Sequence, residues 1–277
     1  MTLPPLVAAA VLLSALLHAS WNALVKTSGD PMLAQAIIMV GTGSFGCLLI
    51  SQTSFPWEAW PWLLASTLVH SIYLLALVRS YSLGDLSQVY PIARGSAPML
   101  IAILAFPLLG ESLSVQDCLG ILMISGGIFL LATGGLVRNR QAILWSLLTG
   151  LLIVGYSLLD GIGVRASESP FGYVGWLALG EALPIAIYAC WTRRRVLQTN
   201  LRQNGFLWFC GGILAAIGYT IILWAYDQAE MAPVAALRET SVVMAAIIGA
   251  WKFGEPLGTR RILASCIVVI GAALLNT

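Results

Sequence analysis

Long apolar runs, separated by short polar connections, fill this chain from end to end. A run of roughly 20 apolar residues is the length that an α-helix needs to cross a bilayer. The runs lack the alternation of polar and apolar residues that is typical of membrane β-barrels. We therefore predict an all-α membrane protein with ten transmembrane helices, at about 4–25, 32–52, 59–79, 87–109, 115–136, 142–163, 171–191, 206–226, 231–252 and 259–275.

The composition supports this class. Hydrophobic residues make up 59% of the 277 residues and charged residues only 9%, which leaves too little polar surface for a water-soluble globule. The five cysteines stand singly, without histidines at ligand spacing, so we expect neither disulfides nor a metal site. No hydrolytic or phosphate-loop motif is present. We expect no enzymatic activity, no cofactor and no nucleic-acid partner.

The chain also matches itself at an offset of 144 residues. The segment VYPIARGSAPMLIAILAFPLLGE aligns with VAALRETSVVMAAIIGAWKFGE, which places Arg94 opposite Arg238, Ser96 opposite Thr240, and Gly110-Glu111 opposite Gly254-Glu255. Because each copy holds five spans, an odd number, the second copy must lie inverted in the membrane. We predict two inverted five-helix repeats, at 1–137 and 138–277, within one integrated membrane domain.

Basic residues are distributed unequally between the two sets of connections. Only Arg165 lies in an even-numbered connection, whereas the odd-numbered connections and their flanks carry Lys26, Arg79, Arg138, Arg140, Arg193, Arg194, Arg195, Arg202, Lys252, Arg260 and Arg261. By the positive-inside rule, the odd connections are cytoplasmic and both termini lie outside. The expected location is a bacterial inner membrane.

Two arginines, Arg94 and Arg238, fall within spans. A charge in hydrocarbon is unfavourable, so such a side chain usually faces a cavity, an ion or a partner. The alternative is a long stem that reaches the headgroups. Recurrence of arginine at matched positions of two oppositely directed helices favours the interior, and we expect both side chains to face protein or water.

Carboxylates within the spans are the second group of candidates. Asp160 shares a helical stripe with Tyr156, which is typical of a cavity wall, while the alternative is an interfacial carboxylate that pairs with Arg165 or water. Glu239 follows Arg238 directly. Glu181, in the seventh span, has the alternative of pairing with an arginine or with a backbone group.

The remaining candidates are aromatic and amide side chains. His18 and Asn22 share a face of the first span, and Trp21 lies beside His18. For each aromatic ring the alternative is helix packing or an interfacial belt. The complete candidate set for a substrate cavity is His18, Trp21, Asn22, Tyr73, Tyr90, Arg94, Tyr156, Asp160, Tyr219, Trp224, Arg238 and Glu239.

These features resemble the EamA-type transporters of the drug/metabolite transporter superfamily. The similarity rests on two five-span halves, on GDLSQVYPIARGSAP leading to Gly110-Glu111, on the span that ends at Gly254-Glu255, and on the opening LLHASWNALVK. It implies an inner-membrane carrier whose cavity is formed by spans one, three and four of each half, the spans that carry the candidate set. The chain departs from the pattern at Val242, where the match to Pro98 would need proline, and many ten-span relatives have cytoplasmic termini.

The resulting hypothesis is a monomeric secondary transporter that exports amino acids, of broad or aromatic range, by alternating access. Its partners are a small-molecule substrate and the lipid bilayer. Another metabolite or a drug is the alternative cargo, and a non-transporting scaffold or sensor is the alternative class. The energy source stays open between facilitated diffusion and proton antiport, for which His18, Asp160, Glu181 and Glu239 are the titratable candidates.

Overall fold

The computed structural model describes residues 3–26, 31–84, 86–132, 139–192, 194–253 and 258–276. These residues form helices joined by short connections and contain no strand, which confirms the all-α prediction for the described part of the chain. The helices are α1 Pro5–Lys26, α2 Pro31–Ile50, α3 Trp60–Leu83, α4 Leu86–Leu109, α5 Val115–Ala132, α6 Arg140–Ala166, α7 Pro170–Thr192, α8 Arg194–Gln228, α9 Met231–Arg238, α10 Ser241–Phe253 and α11 Thr259–Leu274.

The described residues contain eight segments that are long and apolar enough to cross a membrane. The eighth of these, Met231–Lys252, comprises α9 and α10 together, and a shorter apolar segment, Val115–Leu131, lies in α5. Helix α11 is 16 residues long and begins beside two arginines. Large apolar side chains such as Leu75, Phe106 and Trp251 are exposed on the outside of the bundle. An exterior of this kind fits hydrocarbon, and the chain is a multi-span membrane protein.

Two helix pairs approach each other at glycines. A Cβ on Gly120 of α5 would lie 2.8 Å from the carbonyl oxygen of Gly271 in α11, and the reverse distance is also 2.8 Å. In the α2–α8 pair, a Cβ on Gly41 would clash with the carbonyl oxygen of Phe209. Backbones in membrane helix pairs pack this closely only where side chains are absent or small. These contacts fix α5 against α11 and α2 against α8.

The turn after α4 is shaped by its own sequence. Gly110 has a φ of 69°, a conformation that glycine adopts without strain. Ser114 and Asp117 then form a reciprocal cap at the start of α5: the Ser114 hydroxyl donates to Asp117 Oδ2 at 2.6 Å, and the Asp117 amide donates to Ser114 Oγ at 3.1 Å. Between these two features, the turn holds Glu111 buried, with 7% of its surface exposed.

The predicted span at 231–252 is divided into two helices. Helix α9 ends at Arg238 and α10 begins at Ser241. At the junction the Glu239 amide donates to the Ala236 carbonyl at 3.0 Å and the Thr240 amide donates to the Leu237 carbonyl at 3.1 Å, which are three-residue rather than four-residue bonds. The break therefore falls at the charged pair Arg238-Glu239, beside the buried core around α4, α6 and α8.

Candidate binding site

A buried ion pair joins α4 to the junction between α9 and α10. Arg94 Nε donates to Glu239 Oε2 at 2.9 Å, and Arg94 Nη2 lies 2.8 Å from Glu239 Oε1. The second contact does not meet the geometry of a hydrogen bond, so it is an attraction between opposite charges only. Each residue is 4% exposed. The two buried charges thus compensate each other directly.

Arg238, one residue before Glu239, is held in a different way. Its guanidinium carbon lies 5.3 Å from the centre of the Tyr219 ring, a cation–π distance. Its Nε atom is buried and has no hydrogen-bond partner among the residues that the structure describes. Arg238 therefore keeps a donor that a ligand can use, whereas Arg94 is already engaged by Glu239.

A narrow cleft with a cavity volume of about 10 Å³ lies between α4, α6 and α9. Two arginines and one glutamate face it, so the charged side chains of its lining carry an excess of positive charge. The lining residues are Arg94, Ala97, Pro98, Ile101, Ile153, Ser157, Tyr226, Ala235, Arg238 and Glu239.

Asp160 of α6 is completely buried and surrounded by hydroxyl groups. The Tyr173 hydroxyl donates to its Oδ1 at 3.1 Å and the Tyr219 hydroxyl donates to its Oδ2, while the Ser66 side chain lies close to the carboxylate. Arg165, the partner considered from the sequence, is bonded elsewhere. Tyr219 links the two parts of the site, since its hydroxyl binds Asp160 while its ring lies beneath Arg238.

His70 of α3 lies between the residues around Asp160 and Glu181 of α7. Its Nε2 lies 3.1 Å from Glu181 Oε1 and its Nδ1 lies 3.1 Å from the Ser66 carbonyl oxygen. The imidazole stacks on the Tyr156 ring, with centroids 3.8 Å apart, and Tyr73 meets Tyr156 edge to face at 5.4 Å. Glu181 therefore contacts a histidine, whereas the sequence analysis considered an arginine or a backbone group as its partner.

Helix α1 contributes fewer side chains to the site than the sequence analysis predicted. His18 lies close enough to Arg94 and Arg238 for their charges to act on it, and Trp21 meets the His18 ring edge on at 5.1 Å. The Asn22 amide, however, donates to the His18 carbonyl of its own helix at 2.7 Å. Trp21 itself packs against a small apolar cluster that includes Trp208.

The structure brings most of the predicted side chains together and leaves a few apart. Trp21, Asn22 and Trp224 take part mainly in packing or in bonds within one helix. The prediction omitted Ser66, whose four-residue spacing from His70 was the available signal. The group that lies together is His18, Tyr73, Tyr90, Arg94, Tyr156, Asp160, Tyr219, Arg238 and Glu239, as ring contacts, hydrogen bonds and mutual charge effects indicate.

Comparison with known proteins assigns the second half of the chain. Residues 140–277 match the EamA-like transporter family. The chain belongs to this family through that half. Over 183 residues it is also 30% identical to an uncharacterized protein of Pseudomonas aeruginosa, in a match that covers 65% of this chain and 61% of that protein. The chain thus matches less than two thirds of that relative's length.

A crystal structure of a protein with 17% sequence identity superposes on this chain with a TM-score of 0.75. The superposition covers 97% of this chain and 94% of the other chain. At this identity the likeness concerns the fold alone. It extends across both halves of the chain, including the part that precedes the EamA-like residues.

One further contact ties the EamA-like half to the turn after α4. Arg165 Nη2 donates to Glu111 Oε1 at 2.9 Å and to the Ala229 carbonyl at 2.8 Å, while its Nε donates to the Tyr226 carbonyl at 2.7 Å. The second Glu111 oxygen accepts from the Met231 amide at 2.8 Å. We call Glu111 and Arg165 the end latch, because they close one end of the bundle beneath the start of α9.

Proposed function

We propose that the chain is a monomeric secondary transporter that moves small molecules across a bacterial inner membrane by alternating access. In this proposal it has ten spans, of which α9 and α10 form the ninth and α11 the tenth. The halves 1–137 and 138–277 are inverted copies within one membrane domain, and both termini lie outside.

Reciprocal helix contacts support the inverted copies. In a pair of structures related by a two-fold axis, a contact between one residue and the copy of another is matched by the reverse contact. At the repeat offset, Ala264 corresponds to Gly120 and Gly271 corresponds to Gly127. Gly120 packs against Gly271, and a Cβ on Gly127 would lie 2.9 Å from the carbonyl oxygen of Ala264. The two contacts are related in the manner that a two-fold axis requires.

The ion pair of Arg94 with Glu239 is the single observation that carries the proposal. It joins the fourth span of one half to the ninth span, at a helix break in the protein interior. Buried charges inside a membrane are typical of substrate or ion pathways. Interrupted helices beside a central site are likewise a recurring feature of secondary transporters.

The size of the cleft is consistent with a closed state. Small-molecule sites commonly enclose about 300–1,000 Å³, whereas the cleft between α4 and α9 has a cavity volume of about 10 Å³, roughly the room for one water molecule. A substrate larger than this space enters only if the helices on its two sides move apart. Alternating access provides that movement.

Amino acids are the substrates that the charges favour. The excess positive charge of the cleft suits a carboxylate, and the Arg238 Nε donor is available to bind it. Glu239 or Asp160 can hold the ammonium group, and the rings of Tyr73, Tyr156 and Tyr219 provide apolar walls. Binding of the substrate carboxylate would then compete with Glu239 for the arginines, which links substrate binding to the opening of the ion pair.

Counterflow in proteoliposomes tests this function. Vesicles loaded with unlabelled phenylalanine, leucine or glutamate are diluted into labelled amino acid, and phenethylamine and phenylpropionate serve as competitors that lack the carboxylate or the ammonium. We expect labelled phenylalanine to accumulate transiently above protein-free vesicles, with little competition from either analogue. The Arg238→Gln variant should lose counterflow, while Arg79→Gln, at an exposed position of α3, should retain it.

The same assay can contradict the proposal. Counterflow of no amino acid above protein-free vesicles would remove the substrate assignment. Full competition by phenethylamine would show that the carboxylate is not recognised and that the cargo is an organic cation.

A further inference from the structure

A cluster of polar side chains lies beside the candidate substrate cleft and contains two carboxylates. It runs from Glu181 of α7 to His70 of α3 and on to Ser66, whose side chain lies close to Asp160 of α6. The exposed fractions of the His70 and Glu181 side chains are 9% and 14%, and Asp160 is not exposed. The cluster is therefore shielded from bulk solvent.

The partners of His70 show where the pair can hold a proton. Nδ1 lies 3.1 Å from the Ser66 carbonyl oxygen, which can only accept, and 3.2 Å from the Ser66 hydroxyl, which can donate. Nε2 lies 3.1 Å from Glu181 Oε1 in a charge contact outside hydrogen-bond geometry. Two forms of the pair have no net charge: an imidazolium His70 beside a Glu181 carboxylate, and a neutral His70 beside a protonated Glu181.

In both forms, the pair holds one proton more than a neutral imidazole beside a carboxylate. Loss of that proton would leave a buried negative charge beside a neutral imidazole. Such an arrangement is stable only if water or a cation enters or if the contact opens. Proton occupancy and the contact between α3 and α7 are thus coupled by geometry.

The described residues that surround the His70–Glu181 pair include no arginine or lysine in direct contact with it. Within the described ranges, no lysine or arginine lies within ion-pair distance of Glu181 or Asp160. Arg238 acts on the cluster from α9 at longer range. The other titratable groups that face it from α3, α6, α7 and α8 are Tyr73, Tyr156, Asp160, Tyr173 and Tyr219.

The cluster also reaches the cleft through one side chain. Tyr219 donates its hydroxyl to Asp160 and places its ring under Arg238, the arginine with an available donor. A change in proton occupancy at His70 and Glu181 alters the field at Asp160 and the bonds that orient Tyr219. The position of Arg238 in the cleft then changes with it.

We propose that the His70–Glu181 pair is a proton-binding site that couples the movement of one proton to the transport cycle. The proton is taken from water on one side, forms an N–H or O–H bond within the pair, and returns to water on the other side. No other bond is formed or broken. The inference rests on the proposed transport function for its coupling role, while proton binding itself can be measured without any substrate.

Proton binding is tested on the protein alone in lipid nanodiscs. Infrared difference spectra are recorded between about pH 5 and pH 9, above the range in which exposed carboxylates titrate. We expect wild-type protein to show carboxyl and imidazole bands that both Glu181→Gln and His70→Gln remove. Glu58→Gln, at an exposed position before α3, should keep them. Absence of these bands from wild-type protein, or their persistence in both variants, overturns the proposal.

Coupling is tested in proteoliposomes with an imposed pH gradient. In wild-type vesicles the gradient should stimulate uptake beyond counterflow, whereas Glu181→Gln should show no stimulation by the gradient. Stimulation of Glu181→Gln equal to that of wild type overturns the coupling role. If wild-type protein shows no counterflow at all, the proposed transport function fails, and the infrared result still decides proton binding.

Either variant is compared with wild type by size-exclusion chromatography first. If Glu181→Gln does not fold, His70→Gln carries the same infrared test. If neither folds, the wild-type spectrum decides it, because a pair that holds no exchangeable proton gives no bands in this range.

Discussion

Arg94 and Glu239 form a two-point contact, at 2.9 and 2.8 Å, between residues that are 145 positions apart in the sequence. Glu239 directly follows Arg238, the residue that aligns with Arg94 in the internal repeat. Glu239 thus neutralises Arg94 of the first half, and it does so at the position next to Arg238 of the second half. This arrangement leaves Arg238 as the less constrained charge of the cleft.

Removing one member of this pair should destabilise the protein strongly. Arg94→Gln leaves the Glu239 carboxylate buried without its partner, and breaking a buried pair in this way costs about 3–5 kcal/mol. Glu239→Gln should have a similar effect. The measurement is the free energy of unfolding in detergent micelles for both single variants and for the double variant.

The double variant separates the pair from its surroundings. Two neutral amides can bond to each other, so the double variant should lose much less stability than the sum of the single losses. Additive losses, or single variants as stable as wild type, would show that the two groups do not depend on each other.

Two glycines of α5 provide a matched test of helix packing. A Cβ on Gly120 would lie 2.8 Å from the Gly271 carbonyl oxygen, while a Cβ on Gly126 would meet no atom of the described residues within 4 Å. Gly120→Ala should therefore lower the melting temperature. Gly126→Ala should leave it unchanged or raise it slightly, because alanine favours helix by about 1 kcal/mol over glycine. Equal effects of the two substitutions would contradict the close α5–α11 contact.

The sequence predicted the helical membrane class because long apolar runs reflect a one-dimensional requirement, the thickness of the bilayer. It also identified Arg94, Asp160, Arg238 and Glu239 as interior candidates, since charge within an apolar run needs no knowledge of the fold. The break between α9 and α10 was not predicted. No glycine or proline lies at Glu239 and Thr240 to indicate it.

The sequence did not determine which helices lie side by side. The order of spans does not say which helix faces meet, so the partners of Glu181 and Arg165 became visible only in the structure. Glu181 meets His70, and Arg165 meets Glu111. Asp160 accepts hydrogen bonds from the hydroxyl groups of Tyr173 in α7 and Tyr219 in α8, and the spacing of residues along its own helix cannot indicate these partners.

The end latch should protect a single backbone amide. Glu111 Oε2 accepts from the Met231 amide at 2.8 Å. A hydrogen bond to a charged group contributes about 1.5–3 kcal/mol, so Glu111→Gln should accelerate hydrogen exchange at Met231 by roughly tenfold or more. Peptide-resolved exchange measured by mass spectrometry reports this region.

Glu58→Gln is the control for this measurement, because Glu58 is exposed and distant in sequence from the turn. It should leave exchange around Met231 unchanged. Unchanged exchange in Glu111→Gln as well would mean that the carboxylate does not hold the start of α9.

The proposed orientation can be tested with reporters that are active on one side of the membrane. If both termini lie outside, alkaline phosphatase fused after Thr277 should be active, and a fluorescent protein fused there should be dark. The same fluorescent protein inserted at Asn139, between α5 and α6, should be bright, because Arg138 and Arg140 favour the cytoplasm there. The opposite pattern at both positions would reverse the orientation.

The most direct test of the account is to lock the cleft and measure transport. Ala97 of α4 and Ala235 of α9 both line the cleft. A variant with Ala97→Cys and Ala235→Cys, in a background without the native cysteines, is treated with a short bifunctional thiol reagent that a reductant can cleave. Each single-cysteine variant, treated in the same way, is the control.

The account predicts that cross-linking abolishes amino-acid counterflow and that reduction restores it, because α4 and α9 must separate in every cycle. Counterflow at the wild-type rate by fully cross-linked protein would contradict the claim that substrate passes between these two helices.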